Sequence, residues 1–88
     1  MADDLLEFYG AECAPCTEMR PLVERLEKEE GVKVARIEVW HNAKNLELMK
    51  QYDKNYCGGV PFLFNRKTGK WVCGSTSYEN LKKWALGR

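Results

Sequence analysis

The 88-residue chain lacks a charge of one sign: 14 basic side chains stand against 13 acidic ones, a formal net charge of +1. No global field draws it to nucleic acid or to an anionic membrane. Its basic residues are also dispersed. The densest group, Asn65-Arg66-Lys67-Thr68-Gly69-Lys70, reads as a solvated hairpin tip rather than a phosphate-binding patch. Long apolar runs are missing too, and nothing approaches the ~20 consecutive residues that a bilayer span needs. The opening MADDLLEFYG is acidic and its apolar run is broken by Glu7 and Gly10, so it does not read as a secretory signal. Histidine occurs once, at His41, with no second metal ligand near it in sequence, which reads as a surface loop residue. Internal repeats and low-complexity tracts are absent. These absences point to one domain over residues 1–88, a cytoplasmic address and a monomer. In that compartment thiols stay reduced, and a structural disulfide framework is not expected.

What is present is a hydrophobic content of 44% with 11% aromatics, enough for a packed core and too much for a disordered chain. Four cysteines stand out, and two of them form the motif Cys13-Ala14-Pro15-Cys16. A C-x-x-C pair can be a redox dithiol, half of a metal site or a structural staple. The surrounding pattern bears on that choice. Leu5 to Tyr9 is an apolar run interrupted once by Glu7, as in a strand buried on both faces. From Ala14 to Glu30 the spacing of Met19, Leu22, Val23 and Leu26 predicts a helix, stopped by Gly31. Val32 to Trp40 reads as a second strand, and Asn42 caps a helix through Leu46, Leu48 and Met49 to Tyr52. After the Gly58-Gly59 loop, Pro61 to Phe64 and Lys70 to Cys73 form a hairpin around an Asn65–Gly69 turn. Ser77 caps a last helix carrying Leu81, Trp84, Ala85 and Leu86. The order β-α-β-α-β-β-α predicts an α/β fold: a four-stranded mixed sheet with helices on both faces.

With the motif at the end of the first strand of such a unit, the chain resembles the thioredoxin-fold family. Thioredoxins carry W-C-G-P-C after an apolar strand, with an acidic residue six places before the first cysteine. Here Glu7 stands six before Cys13, Pro15 lies between the cysteines and Pro21 matches the proline that kinks the following helix. Downstream, Gly59-Val60-Pro61 is similar to the loop that holds a cis-proline opposite the dithiol, and Lys70 to Gly74 to the strand that ends at a glycine beside it. The likeness spans essentially the whole chain, in a minimal version near glutaredoxins in size. It departs from the family at Glu12, where the tryptophan stands, and at Ala14, where the glycine stands; Glu7 replaces the usual aspartate. The chain also lacks the C-P-Y-C and T-V-P patterns of glutaredoxins.

The resemblance implies a thiol–disulfide oxidoreductase that reduces protein disulfides through a mixed disulfide, without a cofactor. A reductase or a small thiol would supply the electrons. Cys13 at the helix N-terminus, where free N–H groups and the dipole favour a thiolate, is the expected nucleophile. Cys16, one turn deeper, is the resolving thiol. Glu12 works against the dipole, so the Cys13 pKa is expected below that of a free thiol without being extreme. Glu7 is the implied proton acceptor for Cys16, its pKa raised by burial. The plainer alternative is a solvated edge position or a pair with Arg36. The substrate surface is expected from Glu12, Ala14, Pro15, Val60, Pro61 and Gly74.

Cys57 and Cys73 admit three readings: small buried apolar residues, favoured first, then a second disulfide, then a four-thiolate metal site. A single C-x-x-C argues against the metal, because such sites are usually built from two paired knuckles. The competing function is a redox-inert or metal-binding module on the same scaffold, using Cys13, Cys16, Cys57 and Cys73; the intact dithiol favours the enzyme. Trp40, Trp71 and Trp84 read as packing residues, with Trp71 partly exposed on its hairpin.

Overall fold

A computed structural model describes residues 4–87; the first three residues and the last of the expected 1–88 unit lie outside the described residues. Seven elements follow one another: β1 (Leu5–Tyr9), α1 (Ala14–Glu30), β2 (Val34–Glu38), α2 (Ala43–Tyr52), β3 (Phe62–Asn65), β4 (Trp71–Cys73) and α3 (Tyr78–Leu86). The strands order β2-β1-β3-β4. β1 pairs in parallel with β2, Glu7 opposite Arg36, and antiparallel with β3, Glu7 opposite Leu63. β3 and β4 close the sheet as an antiparallel hairpin. The mixed α/β sheet expected from the sequence is therefore the observed one.

Strand alternation divides the core in two. Leu5, Val34 and Leu63 point to the side of α1 and α3, where Met19, Val23, Leu26, Leu81 and Trp84 complete one buried cluster. Leu6, Phe8 and Phe62 point the other way, onto Val39 and Met49. Aromatic rings fill this second layer: Phe8 stacks on Phe62 at 6.0 Å, and Tyr52 lies 5.0 Å from Phe64. Truncating a fully buried ring such as Phe62 to alanine would cost about 3–5 kcal/mol.

The helix ends follow the capping residues. Gly31 takes a left-handed φ of 67° and its N–H bonds the Glu27 carbonyl. Asn42 and Ser77 accept from the N–H groups of Asn45 and Asn80, at 3.0 and 3.2 Å. Pro21 lies inside α1 without ending it, which removes the N–H that would bond the Thr17 carbonyl.

The strands are shorter than the apolar runs suggested. β2 was expected over Val32–Trp40, but side chains bend the backbone at both ends. Glu27 Oε2 accepts the Val34 N–H at 2.8 Å, and the Glu38 carboxylate turns back to accept from Trp40 and His41. Pro61, without an N–H to give, precedes β3 instead of opening it. Lys70 stays outside β4, and its carbonyl accepts from Asn65 N–H at 2.8 Å and Trp84 Nε1 at 3.1 Å. Asn65 is more than a turn residue. It is buried, donates through Nδ2 to the Trp84 carbonyl at 3.0 Å, and accepts the Lys67 N–H on Oδ1 at 2.9 Å. One side chain thus ties the hairpin turn to the end of α3.

Candidate active site

The end of β1 and the start of α1 bring the two motif cysteines together. Cys13 is the N-cap of α1 with extended backbone, and its Sγ accepts the Cys16 N–H at 3.2 Å. The Thr17 N–H and hydroxyl both bond the Cys13 carbonyl at 3.1 Å, fixing the first turn. Cys13 and Cys16 are joined as a disulfide, Cα to Cα 5.2 Å, with only 4% and 3% of their surfaces exposed. Ala14 and Pro15 stand outward on the exposed first turn, where the missing N–H of proline costs no helix bond. A dithiol here has a buried member one turn below a member that receives the helix N–H groups, an arrangement that favours one thiolate over the other.

Glu7 lies under α1 in the interior strand, fully buried. That excludes the solvated edge position. The Arg36 pairing is real: Nε stands 3.3 Å from Glu7 Oε1. The contact is an ion pair without hydrogen-bond alignment, and both carboxylate oxygens are without a hydrogen-bond partner among the described residues. Burial raises the Glu7 pKa above the usual carboxylate range, against the opposing pull of Arg36 and Arg20. A cavity of about 10 Å³ lies between Cys16, Tyr9, Arg20 and Arg36, room for a single water.

The α2–β3 loop forms the other wall. Val60 joins Pro61 through a cis peptide bond, and the Val60 carbonyl lies 3.9 Å from Cys13 Sγ. Gly74, at a φ of 81° just beyond β4, gives its N–H to the Pro61 carbonyl at 2.8 Å. Cys57, within this loop, and Cys73, at the end of β4, are bonded to each other, Cα to Cα 5.3 Å. The reading of two separate buried thiols is corrected by that pairing and by position: Cys57 is half-buried and Cys73 is exposed. Beside them Tyr56 stacks on Trp71, ring centroids 4.8 Å apart and planes nearly parallel, both rings exposed. Among the described residues, no group of three or more His, Cys, Asp or Glu side chains is arranged to hold a metal ion. No helix among them is long and apolar enough to cross a membrane.

One part of the rim escaped the sequence reading. His41 is not an isolated loop residue: its Nε2 meets both carboxylate oxygens of Glu12 at 2.7 and 2.8 Å, and this contact raises the imidazole pKa. Glu38 binds the same two loops, accepting from Ala11, Trp40 and His41 N–H groups at 3.0, 3.2 and 2.8 Å. Desolvation acts against that carboxylate, but the three donors hold its pKa below the usual range. Trp40, expected as a packing residue, is 52% exposed, with one face laid on Gly10. A side chain at position 10 would enter the Trp40 ring and displace it from this seat. The Glu12–His41 contact carries no local sequence signal, because the partners lie 29 residues apart.

The parallel β1–β2 pair, the antiparallel hairpin and a C-x-x-C pair capping α1 opposite a Val-Pro loop define the thioredoxin class of α/β proteins. The chain belongs to the thioredoxin-fold family: it is similar to a point mutant of thioredoxin from Halobacterium salinarum, with 30% identity and a TM-score of 0.73, covering 97% of this chain and 74% of that one. A mutant thioredoxin-like protein matches at a TM-score of 0.70 with 14% identity over 97% of each chain. The glutaredoxin from Archaeoglobus fulgidus matches at 0.66 with 20% identity, covering 93% of this chain and 85% of that one. At those identities the last two likenesses concern the fold. No protein-family profile and no curated protein matches the chain.

Proposed function

We propose that the protein is a thiol–disulfide oxidoreductase that reduces protein disulfides through Cys13 and Cys16. The observation that carries this reading is Cys13 Sγ at the N-terminus of α1, bonded to Cys16 and facing the Val60 carbonyl. In the reduced protein the Cys13 thiolate attacks one sulfur of a substrate disulfide, forming a mixed disulfide and releasing the other sulfur as a thiolate. Cys16 then gives up its proton, attacks Cys13 Sγ and releases the second substrate thiol. Glu7 is the acceptor of that proton; its burial in β1 beneath α1 and its raised pKa support the role. The product is the Cys13–Cys16 disulfide, returned to the dithiol by a reductase or a small thiol.

The substrate segment lies extended along Val60, whose backbone groups pair with it as an added strand. Ala14, Pro15 and Gly74 flank that segment, and the exposed Trp40 offers an apolar face on the side where Glu12 has replaced the family's tryptophan. A reducing compartment such as the cytoplasm, and a monomeric state, belong to the same proposal. Insulin-disulfide reduction by the wild type and by Cys13→Ser tests it: turnover by the wild type and none by the variant is expected, and equal inactivity of the two sinks the reading.

A further inference from the structure

The Cys57–Cys73 bond is placed unlike a core staple. Cys73 lies on the outer face of the edge strand β4, exposed to solvent, while Cys57 is half-buried in the loop before β3. An exposed disulfide is within reach of small thiols in solution, and exposure is one of the features that make such a bond labile. Both ends of the bond also adjoin the Cys13 site. Cys57 lies three residues before Val60, whose carbonyl faces Cys13 Sγ, and Cys73 precedes Gly74, whose N–H holds the Pro61 carbonyl.

The side-chain hydrogen bonds to the backbone of the stretch before Val60 come from the α2 side. The Asp53 carboxylate accepts the Cys57 and Gly58 N–H groups at 2.8 and 2.7 Å, which anchors the loop to the end of α2. Asn55 and Gly58 take left-handed φ values of 67° and 77°, turning the chain tightly. Toward β4 the stretch before Val60 is held by the disulfide and by the solvent-exposed Tyr56–Trp71 stack. Opening the disulfide would leave the loop attached to the helix but loosened from the sheet edge.

We propose that Cys57–Cys73 is a second thiol–disulfide exchange site, a latch set by low-molecular-weight thiols that controls how firmly the Val60–Pro61 loop is held against Cys13. A small thiolate attacks Sγ of Cys73, the more exposed residue of the pair, forming a mixed disulfide and expelling the Cys57 thiolate, which takes a proton from water. A second small thiolate attacks the sulfur bonded to Cys73 and releases the Cys73 thiol. The sum is one disulfide and two small thiols going to two protein thiols and one small-molecule disulfide, a two-electron exchange. The exchange itself stands apart from the dithiol reading; only its effect on turnover rests on that reading.

The experiment uses Cys13→Ser/Cys16→Ser protein, so that only the second pair can titrate. It is equilibrated in reduced and oxidised glutathione over a wide range of ratios, then quenched by alkylation and weighed. Both thiols are expected to appear together, with a midpoint inside the glutathione range, and the Gly74 amide to exchange its hydrogen faster once they do. A pair that stays closed in a large excess of reduced glutathione, or never closes in the oxidised form, overturns the exchange site. Unchanged protection at Gly74 after reduction overturns the latch.

Turnover is then compared between the wild type, at a glutathione ratio that keeps the latch closed, and Cys57→Ser/Cys73→Ser. Loss of the latch is expected to raise KM for a peptide disulfide about five-fold or more with kcat little changed. Equal KM values overturn the control of turnover. Inactivity of both proteins alongside a normal titration overturns the dithiol reading and supports the exchange site.

Discussion

The two disulfides have nearly the same span, 5.2 and 5.3 Å between Cα atoms, and almost nothing else in common. Cys13 and Cys16 are three residues apart, buried at a helix N-terminus, with a buried carboxyl below them in β1 and an exposed acid before them. Cys57 and Cys73 are sixteen apart and bridge a loop to an edge strand on the opposite face of the sheet. Covalent geometry permits both bonds; surroundings decide what each can do. The first pair has a helix N–H on Cys13 Sγ and a buried carboxyl of raised pKa in the strand beneath, the features on which the proposed turnover rests. The second closes the longer loop and so constrains the unfolded chain more, about 3 kcal/mol in the chain-entropy view against roughly half of that for the first.

The sharpest way to break this contrast is to remove one sulfur from each pair. Cys13→Ser should abolish disulfide reduction, whereas Cys73→Ser should keep it at a raised KM. Cys16→Ser should hold a substrate as a stable mixed disulfide on Cys13, visible as a mass adduct that excess thiol removes. An adduct forming equally well on Cys73 would erase the division of labour.

Glu7 gives the next largest effect, and here the sign follows from linkage. Its pKa in the folded protein is raised by burial, so the native state binds the proton more tightly than the unfolded chain does. Stability from this group is complete below its ordinary value and is lost as pH rises through the raised one. At neutral pH a buried carboxylate therefore works against folding. Glu7→Gln should stabilise the protein at pH 7 by roughly 1–3 kcal/mol and flatten that pH dependence, measured by urea unfolding. If Glu7 takes the Cys16 proton as proposed, the same variant should slow release of the mixed disulfide. Stabilisation without slower resolution would leave Glu7 as a structural defect unrelated to turnover.

These contrasts were unevenly legible in the sequence. Helix ends were readable because their signals are local: Gly31, Asn42 and Ser77 each act on a backbone group within four residues. The buried position of Glu7 followed from its place within an apolar run. What could not be read was side-chain partnership across the fold. Nothing in the spacing says that Cys57 meets Cys73, that Glu12 meets His41, or that Asn65 reaches the end of α3. The β2 ends were misjudged for the same reason, since carboxylates from Glu27 and Glu38 terminate it where hydrophobicity alone would continue.

The Tyr56–Trp71 stack sharpens the comparison from the side of the second pair. An aromatic contact of this kind contributes about 0.5–1.5 kcal/mol. It crosses the same gap as the disulfide, so the two restraints overlap while the bond is closed. Tyr56→Ala should lower the melting temperature more in the reduced Cys57–Cys73 state than in the oxidised one. An equal loss in both states would mean that the stack and the bond act on separate segments.

The smallest effect concerns Glu12. With His41 protonated, the imidazolium offsets the Glu12 charge beside Cys13; Glu38, held by the same loops, also faces the imidazole. The His41 pKa is raised, first by the Glu12 contact, so its contribution to stability is complete below the ordinary histidine value and is lost as pH rises through the raised one. Both side chains are exposed, and salt screens them over a Debye length of about 8–10 Å. Above that window Glu12 stands uncompensated and opposes the Cys13 thiolate. Glu12→Gln should therefore raise the rate of disulfide attack about two-fold at low salt, mostly above the His41 transition. The same variant should bring the imidazole titration, followed by NMR, back toward its ordinary position. If the imidazole shifts and the rate does not, the Glu12–His41 pair fastens two loops together without tuning Cys13.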